Sequence, residues 1–276
     1  MPVKQYLLAS DFDQTLSFSD SGYVLAELLG VRGFEDKVRG LARSNLVQQG
    51  GELAYLIRHD PDFRGVRLEH LIETGRRVRL KGAIRQLAKF LETGVAGYAF
   101  HFCVVSAAPR EVVLSALQGI VMPERIYGTE FDYDPASGEV RAIARVPAGY
   151  GKVAVIEELR ERLGLAADRI IYVGDGSSDV HVMLHVNNAE GFTIAVSENQ
   201  HLARIAQATV LSDNAFSVLV PIFHQVLRMR TPEIRALIES QGMVLHDWER
   251  ARTDRVQIRE PALPSASVVS DAPHTT

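Results

Sequence analysis

The sequence has little cysteine, no excess of basic charge and no long apolar run. Cys103 is the single cysteine among 276 residues, so no internal disulfide can form and a reducing, cytoplasmic location is predicted. Lysine and arginine number 30 against 34 aspartate and glutamate residues. The chain therefore lacks the basic field that draws proteins to nucleic acids or acidic lipids. Its apolar runs are also shorter than the roughly 18 residues that a membrane span needs, so neither nucleic acid nor a membrane is an expected partner.

The composition is that of a globular protein with a hydrophobic core. Apolar residue types make up 46% of the chain and charged types 23%, values that fit neither a disordered nor a fibrous protein. At roughly 150 residues per domain, this length predicts one large domain or a domain with an insertion.

The hydrophobic pattern predicts an α/β fold. Residues 5–10 form a short apolar run that leads into an acidic segment, which is typical of a buried parallel strand. Apolar residues at helical spacing then continue through residues 17–79, a stretch too long for a simple connection, so we predict a helical cap inserted after the first strand. Strands and helices alternate from residue 80 onward. This alternation predicts a Rossmann-like, doubly wound parallel sheet.

These patterns divide the chain into four predicted parts. Residues 1–16 and 80–215 form the α/β core, and residues 17–79 form the cap. Residues 216–258 are predicted to be helical. Residues 259–276 are rich in proline, serine, alanine and threonine, a composition that predicts a disordered tail.

Two pairs of aspartates follow predicted strands. Asp11 and Asp13 come directly after the first strand, and Asp175 and Asp179 come after the apolar strand near residues 170–173. In a doubly wound sheet, ligands bind outside the carboxyl ends of the strands, where the strand order reverses. If the two strands are neighbours there, the four carboxylates converge. Such a group stays ionised most easily around a hard divalent cation, and Mg²⁺ is the natural occupant.

Two further residues suit a phosphate group. Ser106 ends the predicted strand at residues 101–105 and precedes a helix whose first N–H groups could receive an anion. Lys152 opens the next predicted helix behind Gly149-Tyr150-Gly151, where its ammonium could meet the same oxygens.

The ordered set of Asp-x-Asp-x-Thr, then Ser, then Lys, then Gly-Asp-x-x-x-Asp resembles the haloacid dehalogenase superfamily. The Gly-Asp-Gly-x-x-Asp form of the last motif and the helical cap are most similar to its phosphoserine phosphatase-like branch. The resemblance implies a phosphomonoesterase in which Asp11 attacks phosphorus and forms an aspartyl phosphate. It also implies that Asp13 is the general acid for the leaving group and then the base for water.

The same resemblance implies roles for the other residues. Ser106 and Lys152 would hold the phosphoryl oxygens, and Thr15 would fix the first loop beside them. The metal-binding residues would be Asp11, through its carboxylate, Asp13, through its carbonyl, Asp175 and, as a support, Asp179.

The chain departs from that branch near the leaving group. It has Ser106-Ala107-Ala108 where those enzymes usually have Ser-Gly-Gly, and Ser178 where they usually have Asn. Asp20 takes the place of a glutamate that contacts the substrate's amino group, so Asp20 is a candidate specificity residue. No arginine can be placed as the partner of a serine carboxylate; Arg43, Arg58 and the cluster at residues 76–79 are the candidates.

The sequence is compatible with several functions. Phosphoserine is one candidate among small phosphorylated metabolites, and phosphoethanolamine, phosphocholine, a sugar phosphate or a nucleotide are the alternatives. A catalytically idle sensor of a phosphorylated metabolite is the alternative of another class, although all the expected catalytic residues are present. Dehalogenation and phosphonate cleavage are disfavoured, because neither needs an acid at Asp13 to protonate an ester oxygen.

Overall fold

The computed structural model describes residues 3–44, 46–95, 97–250 and 254–259. Nine strands in these residues form one sheet. They are β1 (Lys4–Ser10), β2 (Tyr98–Pro109), β3 (Ile126–Tyr133), β4 (Val140–Arg145), β5 (Ile170–Gly174), β6 (Phe192–Ala195), β7 (Ala208–Leu211), β8 (Val244–Arg250) and β9 (Asp254–Arg259).

The strand order across the sheet is β4-β3-β2-β1-β5-β6-β7-β9-β8. Neighbouring strands from β3 to β7 run parallel, as do β7 and β9, whereas β4 and β8 are antiparallel to their neighbours. The chain builds outward from β1 in one direction and then, from β5, in the other. The crevice beyond the ends of β1 and β5 is therefore the switch point at which such sheets bind ligands.

The described residues form helices of two kinds: those of the insertion that follows β1, and those that pack on the sheet. They are α1 (Ser21–Leu29), α2 (Phe34–Ser44), α3 (Glu52–His59), α4 (Leu68–Arg77), α5 (Ile84–Thr93), α6 (Arg110–Ala116), α7 (Tyr150–Leu163), α8 (Val180–Asn188), α9 (Gln200–Ile205), the single turn α10 (Leu219–Pro221) and α11 (Thr231–Ser240). Short 3-10 turns join several of them, and a π-helical turn, Ile222–Val226, follows α10. No helix in the described ranges is long and apolar enough to cross a membrane.

Both faces of the sheet are covered, which explains the continuous apolar strands. Leu87 of α5 and Val112 of α6 belong to the larger apolar cluster on one face. Val155 of α7 and Met183 of α8 belong to a second cluster on the other face. Strands buried on both sides need apolar residues at successive positions rather than in alternation. The predicted doubly wound α/β fold with a helical insertion after β1 is confirmed.

Helices α1 to α4 follow β1 in the sequence and precede α5. Together they form the helical insertion, which is hydrogen-bonded to the β3–β4 hairpin. The amide of Val140 donates to the carbonyl of Val66 at 2.9 Å, and the amide of Leu68 donates to the carbonyl of Gly138 at 3.3 Å. Arg67 and Glu139 add an exposed ion pair at 3.3 Å. These contacts fix one end of the helical insertion above the carboxyl ends of the strands.

The prediction that residues 216–258 are helical is wrong for its second half. Helix α11 ends at Ser240, and Gly242 then adopts a positive φ of 73°, a conformation that stops a helix at little cost only for glycine. Strands β8 and β9 follow. In β9, apolar Val256 and Ile258 alternate with polar residues, a two-residue period that is typical of a strand. Residues 260–276 of the predicted disordered tail lie outside the described residues.

Candidate active site

Asp11 lies at the junction of β1 and β5. Its backbone N–H donates to the carbonyl of Val173 at 2.8 Å, which continues the pairing of the two strands. The carboxylate is almost fully buried, and its Oδ1 accepts a hydrogen bond from the amide of Phe12 at 2.6 Å. The end of a buried strand thus holds this carboxylate in one orientation, as a nucleophile requires.

Lys152 connects the first acidic residue to the last. Its side chain is fully buried, and its Nζ lies 2.6 Å from Asp11 Oδ2 and 2.6 Å from Asp179 Oδ1. Tyr172, within β5, donates a hydroxyl hydrogen bond to the same Asp179 oxygen at 2.6 Å. Burial opposes the charge on Lys152, but the two carboxylates outweigh it and raise the lysine pKa above its usual value.

Asp179 also fixes the loop after β5. Its Oδ2 accepts hydrogen bonds from the backbone amides of Asp175 and Gly176, both at 3.0 Å. A Cβ on Gly174 would lie 2.4 Å from Asp179 Cγ, so only glycine leaves room for this arrangement. Burial opposes ionisation of Asp179, yet Lys152 and the hydrogen bonds hold its pKa below the usual value. Both oxygens of Asp179 are engaged, which suits a supporting role.

The three aspartates of this site could hold a metal ion. Carboxylate oxygens of Asp11, Asp175 and Asp179 all lie within 4.8 Å of one another. Burial and the repulsion from Asp11 and Asp179 raise the pKa of Asp175 to about 8. Burial, only partly offset by Lys152, raises the pKa of Asp11 to about 6. One lysine does not balance three carboxylates, and a hard divalent cation with oxygen ligands fits the remaining charge.

Asp13 stands apart from this trio. Its Oδ1 accepts a hydrogen bond from the hydroxyl of Ser21 at 2.7 Å. Burial and the nearby charge of Asp20 raise the pKa of Asp13 well above its usual value. Asp20 itself caps α1, accepting from the amides of Gly22 and Tyr23 at 2.8 and 3.1 Å. A carboxyl group that stays protonated can donate a proton, so Asp13 has the environment of a general acid.

Ser106 and Thr15 are both buried near the aspartates, but in different places. Ser106 lines the cavity above Asp11, and its Oγ accepts from the amide of Ala108 at 3.2 Å. Strand β2 continues past Ser106 to Pro109, where it pairs with β3 after an irregularity in register, so the strand is longer than predicted. Thr15 is not among the described residues that line the cavity; its hydroxyl donates to Asp175 Oδ1 at 3.3 Å.

The cavity has a volume of about 340 Å³, within the usual range for small-molecule sites. Asp11, Asp13 and Asp175 form its floor with Ser106. The helical insertion forms the wall of the cavity through the α1 cap residue Asp20 and through residues of α1, α2 and α3, which include Tyr23, Phe34, Val38, Glu52 and Leu53. The helical insertion therefore meets the acidic floor across one space of small-molecule size.

Several residues of this site were not predicted from the sequence. Tyr172 could have been identified, because it is a residue with a polar end within an otherwise apolar strand, and the hydroxyl of a buried tyrosine usually has a hydrogen-bond partner. Nothing in the sequence distinguishes Ser21 and Glu52, since serine at a helix start and glutamate in a first turn are common in any helix.

The family model of the haloacid dehalogenase-like hydrolases matches residues 8–184. No curated protein matches this sequence.

Several solved structures are similar in fold. A substrate-bound phosphoserine phosphatase complex has a TM-score of 0.61 and 17% identity, covering 78% of this chain and 97% of the other. A phosphoserine phosphatase with a phospho-aspartyl intermediate analogue has a TM-score of 0.58 and 18% identity, covering 75% and 93%. A phosphoserine phosphohydrolase-like protein from Francisella tularensis has a TM-score of 0.59 and 14% identity, covering 78% and 99%.

Proposed function

The chain belongs to the haloacid dehalogenase-like hydrolase family, and on that premise we propose that it is a Mg²⁺-dependent phosphomonoesterase acting on a small phosphorylated metabolite. The observation that carries the proposal is the placement of Asp11. Its buried carboxylate contacts Lys152 and lies within 4.8 Å of Asp175 and Asp179 at the floor of a cavity. Phosphoryl transfer depends mainly on positioning and charge neutralisation, and these residues provide both.

In the first step, a carboxylate oxygen of Asp11 attacks phosphorus. A bond forms between that oxygen and phosphorus while the bond from phosphorus to the leaving oxygen breaks. Asp13 donates its proton to the leaving oxygen, which departs as an alcohol. The raised pKa of Asp13 supports this assignment, because the group must hold a proton before the step. The contact with Ser21 fixes the direction in which the carboxyl group points.

In the second step, water hydrolyses the aspartyl phosphate. Asp13, now ionised, takes a proton from the water as the water oxygen attacks phosphorus, and the bond to Asp11 breaks. Inorganic phosphate leaves and both aspartates return to their starting forms. The phospho-aspartyl analogue described for a phosphoserine phosphatase of similar fold supports this route.

Lys152 and Ser106 are the proposed phosphate-binding residues. Lys152 contacts Asp11 Oδ2, and its ammonium would meet the oxygens of a phosphoryl group that Asp11 accepts. The hydroxyl of Ser106 lies in the cavity lining. Thr15 acts indirectly, since its hydroxyl contacts Asp175, and we assign it the positioning of the loop after β1.

The metal ion would be held by Asp11, Asp175 and the backbone carbonyl of Asp13, with Asp179 fixing the loop that carries Asp175. When bound, Mg²⁺ neutralises negative charge on the phosphoryl oxygens. Residues 17–79 would act as the cap that excludes bulk water and selects the leaving group.

Removal of divalent cations tests this proposal directly. We expect the purified protein to release phosphate from p-nitrophenyl phosphate, and we expect EDTA to lower kcat by at least about 100-fold, because a metal ion supplies several kcal/mol of charge stabilisation in such reactions. Adding Mg²⁺ in excess of EDTA should restore the rate. Full activity in EDTA would contradict the metal requirement, and no activity at any Mg²⁺ concentration would favour the idle sensor.

A further inference from the structure

The charged side chains that line the active-site cavity are all of one sign. Every charged side chain among the described residues that line it is acidic. The set comprises Asp11, Asp13, Asp20, Glu52 and Asp175. The proposed chemistry uses three of these residues, and Asp20 and Glu52 remain on the wall that faces the leaving group.

None of the candidate arginines reaches this wall. Arg76 and Arg77 pair with Glu73 at 3.5 and 3.0 Å. Arg79 lies over the ring of Phe18, at 4.4 Å from its centroid. Arg58 lines a different cavity, between α3 and the β3–β4 hairpin. A carboxylate on the leaving group would therefore meet acidic side chains without a cation among the described residues.

Arg43 also lies away from this wall. It lies in the last turn of α2, exposed to solvent, and it is not among the described residues that line the cavity. The wall as described is thus poorly suited to a substrate such as phosphoserine, whose leaving group carries a carboxylate.

Glu52 is the feature that points to a particular ligand. It is only 8% exposed, yet it lines the cavity at the start of α3. Its Oε2 accepts a hydrogen bond from the amide of Gly50 at 2.7 Å, and none of the ion pairs among the described residues includes it. A buried carboxylate without a counter-ion costs free energy, and an organic cation in the cavity would offset that cost.

The neighbouring aromatic residues suit the same ligand. Tyr23 and Phe34 line this cavity with their rings 5.1 Å apart and nearly perpendicular. Phe34 is buried and Tyr23 is 49% exposed, and aromatic rings attract organic cations through their faces at either kind of position. Acidic and aromatic side chains around one cavity form a pocket for an ammonium group.

We propose that the leaving group of the natural substrate is a short alcohol that carries an amine or a quaternary ammonium and no carboxylate, with Glu52 as the specificity residue that holds its positive charge. This inference rests on the proposed phosphomonoesterase function. The reaction would release inorganic phosphate and a cationic amino alcohol. Asp20 contributes a second negative charge to the same wall.

The test compares substrates that differ in the charge of the leaving group. We expect wild-type kcat/KM for phosphoethanolamine or phosphocholine to exceed that for glycerol 3-phosphate and for phosphoserine by about tenfold or more. Glycerol 3-phosphate lacks the cation that would contact Glu52, and loss of one buried charge contact has an effect of at least this size. A preference for phosphoserine, or equal values for all four esters, would overturn the inference. Turnover of p-nitrophenyl phosphate would show that the phosphatase chemistry still stands in that case.

A variant assigns the preference to Glu52. In Glu52→Gln, we expect the ratio of kcat/KM for phosphoethanolamine to that for glycerol 3-phosphate to fall by about tenfold. Glu69→Gln removes the same charge from an exposed position on α4 and should leave the ratio unchanged. An unchanged ratio in Glu52→Gln would overturn the role of Glu52. Should that variant fail to fold, Glu52→Asp retains the charge, and the wild-type comparison decides the substrate class by itself.

Discussion

Replacing Asp11 by asparagine abolishes turnover while the protein stays folded. We expect kcat for p-nitrophenyl phosphate to fall by at least about 10⁴-fold, as for other nucleophiles in covalent catalysis. An amide at this position cannot form the acyl phosphate, although its oxygen can still accept a hydrogen bond from Lys152. Steady-state phosphate release measures the loss.

The stability of Asp11→Asn follows from the charge of the site. Burial raises the pKa of Asp11 to about 6. For an acid with a raised pKa, the folded state binds the proton more tightly, so in the metal-free protein ionisation costs stability as the pH rises from about 4 through 6. A neutral side chain avoids that cost, and the thermal unfolding midpoint should not fall. Asp132→Asn, at an exposed position of β3, is the matched control and should retain full activity. Wild-type activity in Asp11→Asn would remove this residue from the mechanism.

Replacing Lys152 by methionine damages both stability and activity. The substitution keeps an unbranched side chain, one atom shorter, but leaves Asp11 and Asp179 without the ammonium that lies 2.6 Å from each. Breaking a buried ion pair by removing one partner typically costs about 3–5 kcal/mol. Loss of a charge that stabilises the transition state adds a fall in kcat of about 10³-fold. Urea unfolding in the absence of metal, together with phosphate release, measures the two effects.

Lys89→Met provides the control for this prediction. Lys89 is exposed on α5, and a surface substitution of this kind should change the free energy of unfolding by less than about 0.5 kcal/mol. If Lys152→Met were as stable and as active as Lys89→Met, the buried ion pairs would have no role in holding Asp11.

The sheet and its acidic residues could be predicted from the sequence because both follow from short-range patterns. Continuous apolar runs identified β1 and β5 as strands buried on both faces, and the aspartates follow them directly. The switch-point rule then predicted that Asp11 and Asp175 meet, and the structure brings their carboxylates together. Nothing in this inference required knowledge of side-chain packing.

The wall of the cavity could not be predicted in the same way. It is built by the helices of the insertion, and their orientation over the sheet depends on long-range contacts such as the hydrogen bond from the Val140 amide to the Val66 carbonyl. Helical periodicity shows which face of a helix is apolar, but not which polar residue borders that face and enters a cavity. Glu52 and Ser21 could therefore not be identified from the sequence. Strands β8 and β9 were missed because the predicted helical segment continues past Gly242, where the helix of the structure has already ended.

Trapping the reaction intermediate tests the central claim most directly. The protein is mixed with a ³²P-labelled substrate and Mg²⁺, quenched in acid within one turnover, digested and mapped by mass spectrometry. We predict a phosphoryl group on the peptide that contains residues 11–13, attached to Asp11. Label on another residue would contradict attack by Asp11. So would release of inorganic phosphate during the first turnover without any labelled peptide.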